Sequence, residues 1–215
     1  MNFPYSHNSD LRELCTVASH GAETRRYRDN HARNNPYTNI KSESVLIRSG
    51  ISRGPLYHHF RNFEELIATA HSQIYKSTVE QFTKQLLMII SGVSDIATAR
   101  QQFTSLLTAA FSESTVSQRR VGLGVLHGAS SSPELRGEVA SIQEELNRSW
   151  IEIHQICIDK GWSNLRFTSE SIAILMQSTL LGRVFDDMAL TQMELGAWIF
   201  TLTGIFEFLF LNAIA

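Results

Sequence analysis

Residues 49–70 read SGISRGPLYHHFRNFEELIATA and contain the two junctions on which the fold depends. Gly50 ends one helical pattern, and Ser52 begins the next as an N-cap, with Pro55 in a first turn where its missing N–H does no harm. Asn62, followed three residues later by a glutamate, is a capping signal for a further helix. The stretch therefore predicts a short helix, a glycine-containing turn, a second short helix and the start of a longer one.

Helical patterns continue on the C-terminal side of this stretch. Apolar residues keep the 3.6-residue period for about seven turns from residue 63 to Gly92. Further helices are predicted at about 94–111, 116–127, 133–160, 168–188 and 194–213, with starts at Ser94, Val116, Pro133 and Thr168 and a Thr191–Glu194 capping box before the last. No segment alternates as a strand does, so the predicted fold class is all-α.

The segment on the N-terminal side is less regular. A short apolar pattern with helical spacing covers residues 11–20. Residues 22–36, AETRRYRDNHARNNP, offer almost nothing to bury, so we expect them to be irregular or weakly packed. The predicted domains are a helix-turn-helix head at 1–62 and a helical body at 63–215.

Composition narrows the class of protein. Hydrophobic residues make up 43% and charged residues 19% of the 215, as in ordinary globular proteins. Cys15 and Cys157 have no CxxC partner, which favours reduced thiols, and no basic segment followed by an apolar run opens the chain. The apolar stretch 197–215 contains Glu207, which favours a buried or dimer-forming helix over a membrane span. We expect a cytoplasmic protein.

Charge divides the chain in the same place as the helical pattern does. Residues 1–62 contain nine Lys or Arg against five Asp or Glu, whereas residues 63–215 contain ten against sixteen. Five of the eight histidines also fall in the first segment. A basic head on an acidic body is typical of a phosphate-binding module joined to a body that does not bind phosphate, although a solvated basic face gives the same balance.

The stretch 49–70 resembles the DNA-binding signature of the TetR family of transcriptional regulators. That signature runs through a Gly-hydrophobic-Ser turn, a recognition helix, a Tyr-x-x-Phe motif and a new helix that begins with paired acids and Leu. The matching residues are Gly50, Ile51, Ser52, Gly54, Leu56, Tyr57, His59, Phe60, Glu64, Glu65 and Leu66. A softer resemblance covers 162–187, especially LLGRVFDD.

The resemblance implies a set of DNA contacts. Tyr57 and His59 would bind the phosphate backbone, and Arg53 and His58 would reach base edges in the major groove. The remaining predicted contacts lie at the starts of the two short helices: Lys41, Ser42, Ser44, Ser52, Gly54 and Pro55. Tyr57 and Phe60 at helical spacing are also compatible with a core role, and the adjacent His58 and His59 point to different helix faces, which disfavours a metal pair.

Three features depart from the family's pattern. Residues 25–35 stand where the family usually has an amphipathic first helix, Ser42 stands at a position that is usually apolar, and Phe63 replaces a lysine that commonly binds phosphate. Either the helix at 11–20 supplies the missing support, or the head binds DNA weakly. These departures motivate an alternative, a helical ligand-binding or interaction protein of the same fold.

The resemblance also implies that the body forms dimers and encloses a ligand. The last two helices would pack against their symmetry mates through Leu181, Phe185, Trp198, Leu202, Phe206 and Leu209, the alternative being a monomer core. A small hydrophobic or aromatic effector would contact Phe103, Leu107, Trp150, His154 and Met176, although such a stripe is more often core. His154 in particular is more often a satisfied structural histidine.

The predicted function is that of a homodimeric regulator that binds a pseudo-palindromic operator in double-stranded DNA and is released by the effector, as most relatives are repressors. No GxSxG, HExxH, P-loop or dinucleotide-binding motif is present in a suitable context, so we expect neither an enzyme nor a cofactor or metal requirement.

Overall fold

The computed structural model describes residues 60–163 and 167–211, together with Leu46, Gly54 and Tyr57. The helix predicted at 11–20 and the irregular segment at 22–36 lie outside the described residues.

The described part of the chain is helical. Its helices are α1 (Phe63–Gly92), α2 (Ile96–Ala110), α3 (Val116–Ala129), α4 (Pro133–Asp159), α5 (Ser169–Asp186) and α6 (Leu195–Phe210), with a 3₁₀ turn at Glu113–Thr115. Residues 60–163 and 167–211 contain no strand, so the all-α prediction is confirmed. None of the helices in these ranges is long and apolar enough to cross a membrane.

Local hydrogen bonds explain most of the helix boundaries. The Asn62 side chain accepts a hydrogen bond from the backbone N–H of Glu65 at 2.8 Å, and the Glu65 carboxylate accepts one from the Arg61 N–H at 2.6 Å. At the end of α4, Gly161 has φ +70°, and the Trp162 N–H donates to the Cys157 carbonyl at 2.8 Å. This is the Schellman arrangement, which favours glycine at that position.

Two predicted helix starts are wrong. The N-cap of α2 is Asp95, not Ser94, because the Asp95 carboxylate accepts from the Thr98 N–H at 2.8 Å. The last helix begins at Leu195 without a side-chain cap, so Thr191 and Glu194 do not form a capping box.

The end of α5 explains the second difference. The Asp186 carboxylate accepts from the Met193 N–H at 2.8 Å, and the Arg183 guanidinium donates to the Met193 carbonyl at 3.1 Å. Long-range side-chain contacts therefore hold the connection between α5 and α6, in place of the local cap that the sequence predicts.

The core lies between α1 and the other helices. Helix α1 packs against α2, α3 and α4, while α6 closes the other side against α2 and α5. Trp150, Phe103, Phe206 and Phe210 are fully buried at the centre, with the rings of Phe103 and Phe206 stacked at 3.9 Å between centroids. Burial of such large rings is the main favourable contribution to folding here.

His154 connects three parts of this core. It is fully buried, its Nδ1 lies 2.9 Å from Ser169 Oγ at the start of α5, and its Nε2 lies 2.9 Å from Ser163 Oγ. Ser163 in turn donates to the Leu209 carbonyl of α6 at 2.9 Å. Because the Ser163 hydroxyl donates to that carbonyl, it accepts from Nε2–H, which leaves Nδ1 as the acceptor of a neutral imidazole.

The close crossing of α5 and α6 generates a first prediction. A Cβ placed on Gly182 would lie 2.9 Å from the Trp198 ring, so the overpacking cost of Gly182→Ala should exceed the helix-propensity gain and lower the free energy of unfolding by up to about 2 kcal/mol. The matched control is Gly137→Ala in α4, where a Cβ meets nothing within 4 Å and should stabilise the helix slightly. Urea unfolding measures both, and equal effects of the two substitutions would contradict this account of the crossing.

Burial of His154 generates a second prediction. Desolvation lowers the pKa of His154 below its ordinary value of 6.5, so the unfolded chain binds this proton more readily than the folded chain. The free energy of unfolding should therefore decrease as the pH falls below 6.5. Urea titrations between pH 7.5 and 5.5 should show a smaller decrease for His154→Gln than for the wild type, and an equal decrease in both would contradict this account.

Candidate functional site

A cavity of about 550 Å³ lies between α1, α2, α3, α4 and α5. This volume is in the range of small-molecule binding sites. Helix α1 contributes six lining residues between Tyr75 and Gln85, and its neighbour α4 contributes Gln143, Leu146 and Trp150. The apolar part of the wall includes Val79, Phe82, Leu106, Phe111, Leu126, Leu146, Trp150, Ile174, Leu180, Leu181 and Val184.

Uncharged polar side chains complete the wall. The glutamines are Gln81, Gln85, Gln118, Gln143 and Gln177, and the hydroxyl groups belong to Tyr75, Thr78, Thr115 and Ser178. The Gln143 amide donates to the Tyr75 hydroxyl at 2.7 Å. Burial raises the pKa of Tyr75, against the smaller opposing effect of the Gln143 hydrogen bond, so the phenol stays protonated and keeps an O–H to donate.

Arg119 is the charged member of the wall. Its Nε and Nη2 donate to the two carboxylate oxygens of Asp187, each at 2.7 Å, and its Nη1 donates to Thr115 Oγ1 at 2.7 Å. The guanidinium also lies over the Phe111 ring, 5.8 Å from the centroid. A bidentate pair of this kind is directional, so it holds the start of α3 against the end of α5.

Trp150 brings an unsatisfied donor to the same region. Its side chain is fully buried, and its indole N–H has no hydrogen-bond partner among the described residues. Its ring contacts Phe82 and Phe210 at centroid distances of 6.3 and 5.9 Å. A buried donor without a partner is unusual in a packed core, and such groups occur at functional sites.

Of the predicted effector contacts, the structure places only Trp150 in the wall of this cavity. Phe103, Leu107 and Met176 are fully buried in the main core cluster, and His154 has serine partners on both ring nitrogens. These four residues pack the core beside the cavity. Sequence analysis missed Tyr75 and the glutamines, although Thr78, Phe82 and Gln85 at helical spacing on α1 mark a mixed polar and apolar face.

The predicted dimer residues divide in a similar way. Phe185 is 70% exposed, Leu181 and Trp198 are half-buried, and the other three, Leu202, Phe206 and Leu209, are buried in the core of their own chain. The prediction that these three residues face a partner is therefore corrected. Helix α6 is apolar on two sides, and the three residues lie on the side that faces the core of their own chain.

The outer side of α6 and its neighbour α5 carry a different apolar surface. Phe167, Leu175, Phe200 and Phe208 are exposed there and line a groove of about 720 Å³. We call these four residues and their groove the α5–α6 face. Phe200, at 82% exposure, is its most prominent side chain.

The predicted DNA-binding residues fall mostly outside the described ranges. Lys41, Ser42, Ser44, Ser52, Arg53, Pro55, His58 and His59 are not described. Gly54 and Tyr57 are helical and exposed, and Phe60, expected to seat the recognition helix, is buried. A Cβ on Gly54 would meet no described residue within 4 Å.

Comparison with known proteins reveals similarity in structure. No protein-family model matches the chain, and no curated protein matches its sequence. A Rhodococcus sp. protein assigned to the TetR family of transcriptional regulators superimposes with a TM-score of 0.65 at 16% identity, over 94% of this chain and 99% of the other. A Mesorhizobium loti protein assigned to the same family gives a TM-score of 0.61 at 14% identity, over 91% and 92%.

Reduced NemR from E. coli gives a TM-score of 0.62 at 11% identity, over 96% of this chain and 98% of the other. The chain therefore has the all-α fold of the TetR-family transcriptional regulators.

Proposed function

We propose that the protein is a homodimeric transcriptional repressor that binds a pseudo-palindromic operator through its head and is released when a small molecule occupies the cavity. The continuity of α1 carries this proposal. The helix begins at Phe63, directly after the residues that resemble a recognition helix, and runs without interruption to Gly92. Its middle turns form one wall of the cavity.

A ligand in the cavity would act on the head through α1, because this helix lines the cavity and directly follows the head in sequence. Tyr75, Thr78 and Phe82 meet the cavity, while Leu66 and Ile67 are buried near the start of the same helix. A ligand that fits only one tilt of α1 would shift the population of head orientations, and with it the affinity for DNA. Two recognition helices must lie about 34–36 Å apart to enter successive major grooves. A small tilt of α1 would therefore be sufficient to change this spacing and weaken binding to DNA.

The α5–α6 face supports the dimer. Exposed aromatic side chains of this size are uncommon on the surface of a monomer. A two-fold interface between α5 and α6 of two protomers would bury Phe200 and Phe208 from both sides and fix the spacing of the two heads.

Binding to DNA is the direct test of the proposal. Fluorescence anisotropy should show tight binding to the protein's own upstream DNA, weaker binding to a scrambled duplex, and a steep loss of affinity between about 50 and 200 mM salt. Tyr57→Phe should weaken binding to both duplexes by about fivefold, because the exposed hydroxyl would bond a phosphate that every sequence carries. A folded dimer that binds neither duplex at low salt would instead support a ligand-binding or interaction protein of the same fold.

The dimer has a test of its own. Gel filtration with light scattering should give a dimer for the wild type and a monomer for Phe200→Asp, because the substitution places a charge in the centre of the proposed apolar interface. The matched control is Met88→Asp, which adds the same charge at a position on α1 that is 66% exposed, and it should remain dimeric. A monomeric wild type at micromolar concentration would contradict the proposal.

A further inference from the structure

The wall of the cavity has an unusual charge composition. Among the residues that the structure describes, the lining includes five glutamines and four hydroxyl-bearing side chains, but no Asp, Glu, Lys or His. Arg119 is the one charged residue in this described lining. The polarity of the wall therefore comes almost entirely from uncharged groups. Whether the cavity accepts a charged ligand then depends on whether the Arg119 charge is already paired within the protein.

Arg119 is already neutralised within the protein. Each of its three guanidinium nitrogens donates to a protein acceptor: Nε and Nη2 to Asp187, and Nη1 to Thr115 Oγ1 and the Ser112 carbonyl. The Arg119 and Asp187 side chains are only 10% and 2% exposed. A further hydrogen bond, from Arg120 to the Asp187 carbonyl at 2.9 Å, holds the same turn in place.

This arrangement disfavours charged ligands of either sign. Four of the five Arg119 N–H groups already have acceptors, so an organic anion could form a bidentate pair with Arg119 only by displacing one of them. Displacing Asp187 would leave a buried carboxylate without its partner, and that loss is severe. An organic cation would find no carboxylate among the described wall residues, so glutamine oxygens and aromatic rings alone would have to offset the loss of its hydration. An uncharged ligand meets neither obstacle.

We propose that the cavity selects an uncharged, mainly apolar ligand that carries a hydrogen-bond acceptor such as a ketone, and that the Arg119–Asp187 pair excludes organic anions. This inference rests on the proposed function, since it names the effector class for the same cavity. The ligand's acceptor would bond the Trp150 indole N–H, which has no partner among the described residues, the Tyr75 hydroxyl or a glutamine amide. The apolar body of the ligand would pack against Phe82, Leu146 and Trp150.

A matched series of probes tests the selectivity. The three compounds are 2-acetylnaphthalene, which is uncharged, 2-naphthoate, its near-isosteric anion, and 2-naphthylmethylammonium, a cation on the same ring system. Isothermal titration calorimetry of the full chain should give a dissociation constant for the ketone that is lower than those of both ions by about tenfold or more.

Two neighbouring carboxylates provide the matched variants. Asp187→Asn removes the partner of Arg119, so it should tighten 2-naphthoate by about tenfold and leave the ketone nearly unchanged. Asp186→Asn removes the same charge one residue away, where the carboxylate pairs with Arg183 outside the cavity wall, and it should leave the ranking of the probes as in the wild type. Adding Arg119→Gln to Asp187→Asn should abolish the gain in 2-naphthoate binding that Asp187→Asn alone produces. Circular dichroism establishes that each variant is folded.

The outcomes separate this inference from the proposed function. Equal binding of ketone and anion by the wild type, an equal gain for both Asn variants, or no binding of the ketone at its solubility limit would each overturn the selectivity. If Asp187→Asn does not fold, the wild-type ranking together with Arg119→Gln decides the question. DNA binding is measured without any of the three probes. If the protein did not bind DNA, the proposed regulator function would be excluded, but the measured ligand selectivity would still stand.

Discussion

The continuity of α1 is the constraint on which the rest of the structure depends. Thirty residues in one helix span about 45 Å, long enough to line the cavity and to pack against α2, α3 and α4. The same helix must present apolar residues such as Leu86 and Ile90 to the core and a mixed face to the cavity. The second face includes Thr78, Gln81 and Gln85, and these uncharged polar residues line the cavity.

The Arg119–Asp187 pair is the second constraint, and it works through directionality. Apolar packing alone would allow the start of α3 to slide along α5, because dispersion contacts have no preferred angle. The bidentate hydrogen bonds fix both the distance and the angle at that corner of the cavity. The same bonds cancel the positive charge of Arg119, so one interaction both shapes the wall and sets its electrostatic character.

Sequence reasoning recovers the features that depend on neighbours along the chain. The Asn62 cap, the length of α1, Pro133 at the start of α4 and Gly161 at its end all follow from local hydrogen bonds and backbone preferences. The start of α6 does not, because contacts of Asp186 and Arg183 with Met193 override the local capping signal. Those contacts depend on how the turn folds back onto α5, which no pattern of residue types reveals.

The cavity and the α5–α6 face also could not be predicted from the sequence. An apolar periodicity predicts that a residue is covered, but not whether the core of its own chain, a ligand or a second protomer covers it. Phe206 and Phe200 both belong to the apolar pattern of α6, yet one is fully buried and the other is 82% exposed. Helix α5 adds a consequence, since Ile174 and Ser178 meet the cavity while Leu175, between them in sequence, belongs to the α5–α6 face. A ligand that displaces α5 by a fraction of a helix turn must therefore also change the surface that a second protomer would cover.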